Sequence, residues 1–144
     1  MNKDNYIKVE FPSLSANEGF ARSCAACFAA QLDPTLDELG DIKTAVSEAV
    51  TNCIVHAYPE EIGIIRMKCR IIDGKTLEIS LKDKGVGIDD VEKAREPLFT
   101  TGDPGERAGM GFAIMESFMD SVRVRSRPGR GTTVTLRKSM SGRK

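Results

Sequence analysis

Two polar side chains lie one helical turn apart in an otherwise apolar segment. They are Glu48 and Asn52, within SEAVTNCIVHAY. Glu48 is the only Asp, Glu, Lys or Arg between Thr44 and Pro59, so no local ion pair explains it. A carboxylate can accept a proton, and an amide oxygen suits Mg²⁺. The pair indicates either a helix covered by a ligand or an exposed glutamate beside an incidental asparagine.

A second group of candidate residues follows an alternating strand. In KDKGVGID, Asp83 closes the strand, and Gly85 and Gly87 come just after it. Glycine lets a backbone approach a ligand closely or adopt positive φ, although an ordinary glycine-rich turn uses the same residues. The segment is not the dinucleotide fingerprint, because both GxGxxG and a surrounding βαβ unit are missing.

A third group lies in TTGDPGERAGMGF, which begins at Thr100. Gly109-Met110-Gly111 opens a helix, where free N–H groups and the positive dipole end favour phosphate. A Walker A sequence is missing, so backbone amides and Arg107 would have to meet any phosphate. A flexible surface loop is the alternative, but a loop of this length inside a compact domain is more often functional.

Hydrophobic periodicity predicts the elements that position these groups. YIKVEF alternates as a first strand, and residues 17–32 form an amphipathic helix with an apolar stripe of Phe20, Cys24, Cys27 and Phe28. Pro34 and a Thr35–Glu38 capping box begin a second helix, which runs to about His56. Its core side carries Val46, Val50, Cys53 and Ala57.

A hairpin around Asp73–Gly74 joins IIRMKCRII to TLEISLKD. We expect a short helix to about Arg95, the long loop, a helix in GFAIMESFMD, and two strands in SVRVRSRPGRGTTVTLRK. This order predicts a single α+β domain over residues 1–144, a two-layer sandwich. Its mixed, mainly antiparallel sheet would be covered by helices on one face.

Composition excludes several function classes. The formal charge is zero, from 21 basic and 21 acidic residues, which argues against direct nucleic-acid binding. No segment predicts a membrane span or a signal peptide, so we expect a soluble cytoplasmic protein that does not act at a membrane. The four cysteines are then interpreted as small buried residues and not as zinc ligands.

The charge is unevenly distributed along the chain. After Asp120 no acidic residue follows, whereas eight lysines and arginines do, Arg123 and Arg125 among them. A solvated strand edge and a frayed tail explain this run without a binding site.

Taken together, the three groups resemble the N, G1 and G2 boxes of the GHKL ATPases in order and spacing. GRGTTVTL resembles the final strand of their nucleotide site. The segments FARSCAACFAAQLDPTLDELGDIKTAVSEAVTN and REPLFTTGDPGERAGMGFAIMESFMD are similar to one branch, the small anti-sigma factors with serine-protein kinase activity of endospore-forming bacteria. The resemblance implies a Bergerat-type ATP-binding fold over nearly the whole chain.

The resemblance also implies ATP and Mg²⁺ as cofactors. Asn52 would bind Mg²⁺, and Asp83 would accept a hydrogen bond from the adenine amino group with Thr133 nearby. Gly87 and Ile88 would line the adenine pocket. The residues that would hold ribose or phosphates are Thr100, Gly109, Met110 and Gly111.

Two residues would have catalytic roles by the same resemblance. Arg107 would lie near the γ-phosphate, and Glu48 would act as general base on a serine hydroxyl. The serine would belong to an anti-anti-sigma partner, while the chain itself would bind a sporulation sigma factor and form a homodimer. Arg22 and Arg107 are the candidate partner contacts.

One segment departs from the family pattern. Gly102 to Gly105 stands where a lysine often follows the paired threonines, which affects the expected charge of the loop. A nucleotide-gated binding module without kinase activity is the main alternative function. The catalytic domain of a histidine kinase is disfavoured, because the chain begins almost at its first strand and leaves no room for a phosphoacceptor hairpin.

Overall fold

The computed structural model describes residues 4–88, 91 and 111–141. Three α-helices lie in this part of the chain: α1 (Ala16–Ala29), α2 (Leu36–Asn52) and α3 (Gly111–Phe118). A 3-10 turn, Ala30–Leu32, extends α1, and a π-helical turn, Cys53–Ala57, extends α2. The strands are β1 (Tyr6–Pro12), β2 (Ile64–Ile72), β3 (Thr76–Asp83), β4 (Ser121–Arg127) and β5 (Gly131–Ser139).

The described strands form one sheet in the order β1-β2-β3-β5-β4, and each neighbouring pair is antiparallel. Side chains alternate between a buried and a more exposed face, because successive residues of a strand point to opposite sides. The buried face carries Ile65, Met67, Cys69, Leu77, Ile79, Leu81, Val134 and Leu136. Helices cover this face, so the predicted two-layer α+β sandwich is confirmed.

Helix α2 lies at the centre of the helical layer and packs against both α1 and α3. The capping box predicted at its start is present. The Glu38 N–H donates to Thr35 Oγ1 over 3.1 Å, and the Thr35 N–H donates to Glu38 Oε1 over 2.8 Å. The four residues predicted for its core side are all buried, namely Val46, Val50, Cys53 and Ala57.

The stripe predicted for α1 is partly wrong. Phe28 is buried, but Phe20 is 58% exposed and Cys27 is also exposed. The buried positions include Ala21, Ala25 and Ala29, because small residues let α1 approach α2 closely. The cysteine interpretation therefore holds for Cys53 and Cys69 but is wrong for Cys27.

Within the described residues, no helix has the length and apolar character needed to cross a bilayer. The short helix predicted after Asp83 and the long loop that begins near Thr100 fall mostly outside the described residues.

Candidate functional site

The Glu48 carboxylate is buried. Glu48 is 6% exposed, and Ala45, one turn before it, is fully buried. The face of α2 opposite Val46 and Val50 is therefore covered, which rules out the exposed glutamate of the alternative interpretation. Glu48 also takes part in at least one polar or electrostatic interaction in the fold.

Asn52 meets the first residue of α3. A Cβ atom built on Gly111 would lie 3.0 Å from Asn52 Oδ1 and 3.2 Å from Nδ2. Glycine therefore lets the start of α3 approach the Asn52 amide without a tight contact. The arrangement places an amide oxygen beside a helix N-terminus, where the dipole favours anions. Asn52 lies one turn along α2 from Glu48, and about 6 Å is expected between the Cβ atoms of these two residues.

Asp83 lies at the end of β3 and uses its two oxygens differently. Its Oδ1 accepts hydrogen bonds from the Gly85 N–H over 2.9 Å and from the Thr132 N–H over 3.2 Å. Its Oδ2 accepts only the Cys53 thiol, at 3.5 Å, among the described residues. A thiol is a weak donor, so Oδ2 keeps the capacity to accept a stronger hydrogen bond.

Burial dominates the electrostatics of this carboxyl group. It raises the pKa of Asp83 above its ordinary value of 3.8, against the opposing hydrogen bonds from Gly85, Cys53 and Thr132. The pKa of the Cys53 thiol is also raised well above its ordinary value, first by burial and then by the charge of Asp83. Cys53 is therefore a neutral donor that links α2 to the end of β3.

Gly87 has a structural reason to be glycine. Its φ is +78°, and a Cβ atom there would lie 2.1 Å from the Arg127 carbonyl oxygen. The backbone around it also pairs with the β4–β5 turn, because the Gly129 N–H donates to the Val86 oxygen over 2.7 Å. The close approach predicted from the sequence is thus, in the described residues, an approach to protein backbone.

The family resemblance implies that Thr133 lies near Asp83, and the strand register adds Thr132 as the direct cross-strand partner of Asp83. Thr132 pairs directly with Asp83 across β3 and β5 and lies on the same face, whereas Thr133 pairs with Lys82. A step of one residue along a strand moves a side chain to the other face, so Thr132 shares the face of Asp83 and Thr133 does not. Counting back in twos from buried Leu136 and Val134 would have selected Thr132.

Two further residues of the site were missed. Ser126 accepts the Ile88 N–H at 2.8 Å and lies 2.7 Å from Thr132 Oγ1, so it holds the predicted pocket residue Ile88 against β4. Tyr58 Oη accepts the Lys84 N–H at 2.7 Å and donates to the Ile64 oxygen at 3.0 Å. No sequence pattern marks either residue, because Ser126 meets Ile88 and Tyr58 meets Lys84 only in the folded chain.

An open cavity of about 500 Å³ borders this end of the sheet. Its lining comes from both faces and includes Asp83, Ser126 and Thr132 as well as Lys82, Arg125 and Thr133. Asp83 therefore adjoins space that a ligand could occupy.

Comparison with known proteins agrees with this geometry. Residues 11–138 match the histidine kinase-like ATPase domain. The chain is 56% identical over 138 residues to the anti-sigma F factor of Caldanaerobacter subterraneus, with 96% of each chain covered. The chain belongs to the histidine kinase-like ATPase family, in the branch of the anti-sigma F factors.

Further comparisons place this family member in the same branch and fold. The anti-sigma F factor of Pasteuria penetrans is 56% identical over 140 residues, which cover 96% of this chain and 93% of that one. The solved RsbU and RsbW domains of a Mycobacterium tuberculosis protein share the fold, with a TM-score of 0.67 and 18% identity. That match covers 96% of this chain and 33% of the other.

Some predicted family residues lie outside the described part of the chain. They are Thr100, Arg107, Gly109 and Met110. Arg22, the other predicted partner contact, is described: its guanidinium lies 3.2 Å from Glu18 and donates to Ser47 Oγ at 3.4 Å. This contact joins α1 to α2 and leaves the Arg22 side chain partly exposed.

Proposed function

We propose that this chain is an anti-sigma factor that binds a sporulation sigma factor and uses Mg·ATP to phosphorylate a serine of an anti-anti-sigma partner. The observation that carries the proposal is the position of buried Glu48 one turn from Asn52, whose amide contacts the start of α3. A proton acceptor and a metal-binding amide are thereby held on one rigid helix. The relatives named anti-sigma F factors support the sigma-binding part.

The described residues fit ATP and Mg²⁺. Asp83 Oδ2 has acceptor capacity for the adenine amino group, and the Asn52 oxygen is a hard ligand for Mg²⁺. The N–H groups at the start of α3, beside the Asn52 amide, would suit phosphate oxygens. When bound, Mg·ATP supplies the phosphoryl group and neutralises charge on the phosphates.

The chain itself supplies positioning and a base. Glu48 accepts the proton of the serine hydroxyl as that oxygen attacks, and its fixed place on α2 orients the hydroxyl. Arg107 adds positive charge near the transferred group, as the family resemblance implies. Two such chains form the functional homodimer.

The test is incubation of the purified chain with γ-labelled Mg·ATP and a purified anti-anti-sigma protein. We expect label on a serine of that protein and none when Mg²⁺ is chelated. A pull-down from sporulating cells with Mg·ATP and then Mg·ADP identifies the sigma partner. Sigma binding that depends on nucleotide, with no phosphoserine formed, would instead favour the nucleotide-gated binding module.

A further inference from the structure

The sheet has a second face that no described helix covers. Along β1, β2 and β4 the side chains that alternate with the core are exposed or half-buried. The antiparallel registers align them in rows that cross all five strands. We call this surface the open face, defined by three rows that contain Lys8, Glu10 and Tyr6 at their β1 ends.

The middle row contains cations and hydroxyl groups only. Across the sheet it consists of Lys8, Lys68, Ser80, Thr135 and Arg123. Lys8 and Lys68 stand directly opposite each other, an arrangement that destabilises a strand pair. Both ammonium groups lie over the Tyr6 ring, 5.9 and 5.5 Å from its centroid, which offsets part of this repulsion.

A neighbouring row is also basic. It consists of Glu10, Arg66, Lys82, Thr133 and Arg125. Glu10 pairs with Arg66 over 2.7 Å, but Lys82 stands directly opposite Arg66 as a second like-charge pair. In the described part of the chain, no carboxylate forms an ion pair with Lys82 or Arg125.

In the third row, by contrast, a carboxylate separates the cations. Glu78 lies between Arg70 and Arg137 and forms ion pairs of 2.6 and 2.7 Å with them. Over all three rows, cations still far outnumber carboxylates. The whole chain has zero formal charge, so its remaining surface is net acidic and this face is a local concentration of positive charge.

We propose that the open face is a docking surface for an acidic protein segment, whose carboxylates would contact the middle row. Rows of one strand face are about 7 Å apart, within one Debye length at physiological salt, so the cations act together on an approaching anion. The like-charge pairs are unfavourable in the isolated chain and become favourable once carboxylates lie between them. A symmetric dimer through this face does not fit, because the same face on both copies would repel.

Carboxylates of a protein fit the open face better than the phosphates of a nucleic acid. Surfaces that bind single strands interleave aromatic rings among their cations, but this face has one aromatic ring, Tyr6, already in contact with two lysines. An anionic membrane is disfavoured as well, since neither basic row carries an apolar side chain for insertion. The hydroxyls of Ser80 and Thr135 can donate to carboxylate oxygens between the cations.

The test uses a fluorescein-labelled oligoglutamate peptide and the double variant Lys68→Gln/Arg123→Gln. We expect the intact chain to bind the peptide at low ionic strength and the variant to bind at least about five-fold more weakly. The matched control is Lys43→Gln/Lys75→Gln, which removes the same charge from exposed sites off the open face and should bind like the intact chain.

Three results would overturn the proposal. The first is no binding of the peptide by the intact chain, and the second is equal loss of affinity in both variants. The third is tighter binding of a single-stranded oligonucleotide or of phosphatidylserine vesicles that the Lys68→Gln/Arg123→Gln change abolishes. Cooperative thermal unfolding and ATP binding like those of the intact chain show that the variant is folded, so a lost peptide signal is attributable to the face.

Discussion

At the scale of single residues, one Asp83 oxygen holds the backbone in place and the other has capacity to bind the proposed nucleotide. Two backbone N–H groups occupy Oδ1, and only a weak thiol donor reaches Oδ2. The carboxyl group is buried, and burial raises its pKa. The ionised form of Asp83 therefore lowers the stability of the fold at neutral pH. This is what we expect of a residue that serves ligand binding and not stability.

Asp83→Asn tests this division. In the intact chain stability falls as pH rises from the ordinary pKa of 3.8 through the raised folded value, because the unfolded state loses its proton first. The variant lacks this loss, so at neutral pH it should be at least as stable. Its amide N–H replaces the Oδ2 acceptor, so ATP affinity should fall about ten-fold or more, and GTP should lose less. Calorimetric titration with both nucleotides measures this; unchanged ATP affinity would remove Asp83 from the site.

Gly111→Ala tests the contact between Asn52 and α3. The new Cβ would lie 3.0 Å from Asn52 Oδ1 and would displace the amide. We expect phosphoryl transfer to slow about ten-fold, because small misplacements of positioning groups are costly. Gly40→Ala is the control, since a Cβ there would meet no atom within 4 Å apart from its own stretch of helix, and alanine favours helix. Equal transfer rates in both variants, measured with labelled ATP, would contradict the role of the Gly111 contact.

At the scale of elements, the site depends on how the end of α2 is connected to the sheet. The π-helical turn Cys53–Ala57 follows directly on Asn52 and leads to Tyr58. Such turns are rare and occur often at functional sites. Tyr58 then joins the start of β2 to the residue after Asp83 through two hydrogen bonds.

Tyr58→Phe should break this connection. The Lys84 N–H and the Ile64 oxygen would lose their partner, at a cost of about 1–3 kcal/mol in the free energy of unfolding. ATP affinity should fall as well, because Lys84 adjoins Asp83. Tyr6→Phe, at the other tyrosine of the chain, leaves an exposed ring in place and should change neither quantity. Urea unfolding decides the matter, and a wild-type midpoint for Tyr58→Phe would refute the connection.

Glu78 connects three neighbouring strands, because it pairs with Arg70 of β2 and Arg137 of β5. Burial acts to raise the pKa of Glu78, but the hydrogen bonds and charges of the two arginines lower it overall. A lowered folded pKa gives stability that is present above the ordinary value of 4.5 and is lost as pH falls through the folded value.

Glu78→Gln should therefore destabilise the chain by about 1 kcal/mol at neutral pH, and the difference from the intact chain should disappear in acid. Glu10→Gln is the control. The Glu10 side chain is 58% exposed, so its ion pair with Arg66 contributes little to stability. Unfolding free energies measured across the acid range test the sign. A difference that grows as pH falls would be inconsistent with this assignment.

At the scale of the whole molecule, local signals in the sequence predicted most elements. The Thr35–Glu38 capping box, the β2–β3 hairpin and the core side of α2 each depend on residues near one another in the chain. Strand parity and long-range contacts were harder: the motif identifies the segment around Thr133 but not the face of each residue, so it does not reveal Thr132 as the direct partner of Asp83. Phe20 was assigned to the core because the wheel gives a stripe but does not say which stripe faces α2.

The open face illustrates the same limit. Arg123 and Arg125 appeared to be a solvated strand edge, and β4 is indeed an edge strand of the described sheet. Their alignment with Lys8, Lys68 and Lys82 follows from the strand order β1-β2-β3-β5-β4, which brings distant segments into one surface. Residues that only the strand order brings together leave no pattern among their neighbours in the sequence.

Glu48 is proposed as the base of an ATP site, and the variant Glu48→Gln tests this role most directly. The amide preserves shape but cannot take the serine proton, so transfer to the anti-anti-sigma partner should fall at least about 100-fold. ATP affinity should stay within about two-fold, since Glu48 is not assigned to nucleotide binding. Glu60→Gln, at an exposed site, should transfer normally. Single-turnover phosphorylation with labelled Mg·ATP is the measurement: loss of transfer with retained ATP binding is the predicted result, and a normal rate from Glu48→Gln would contradict the account.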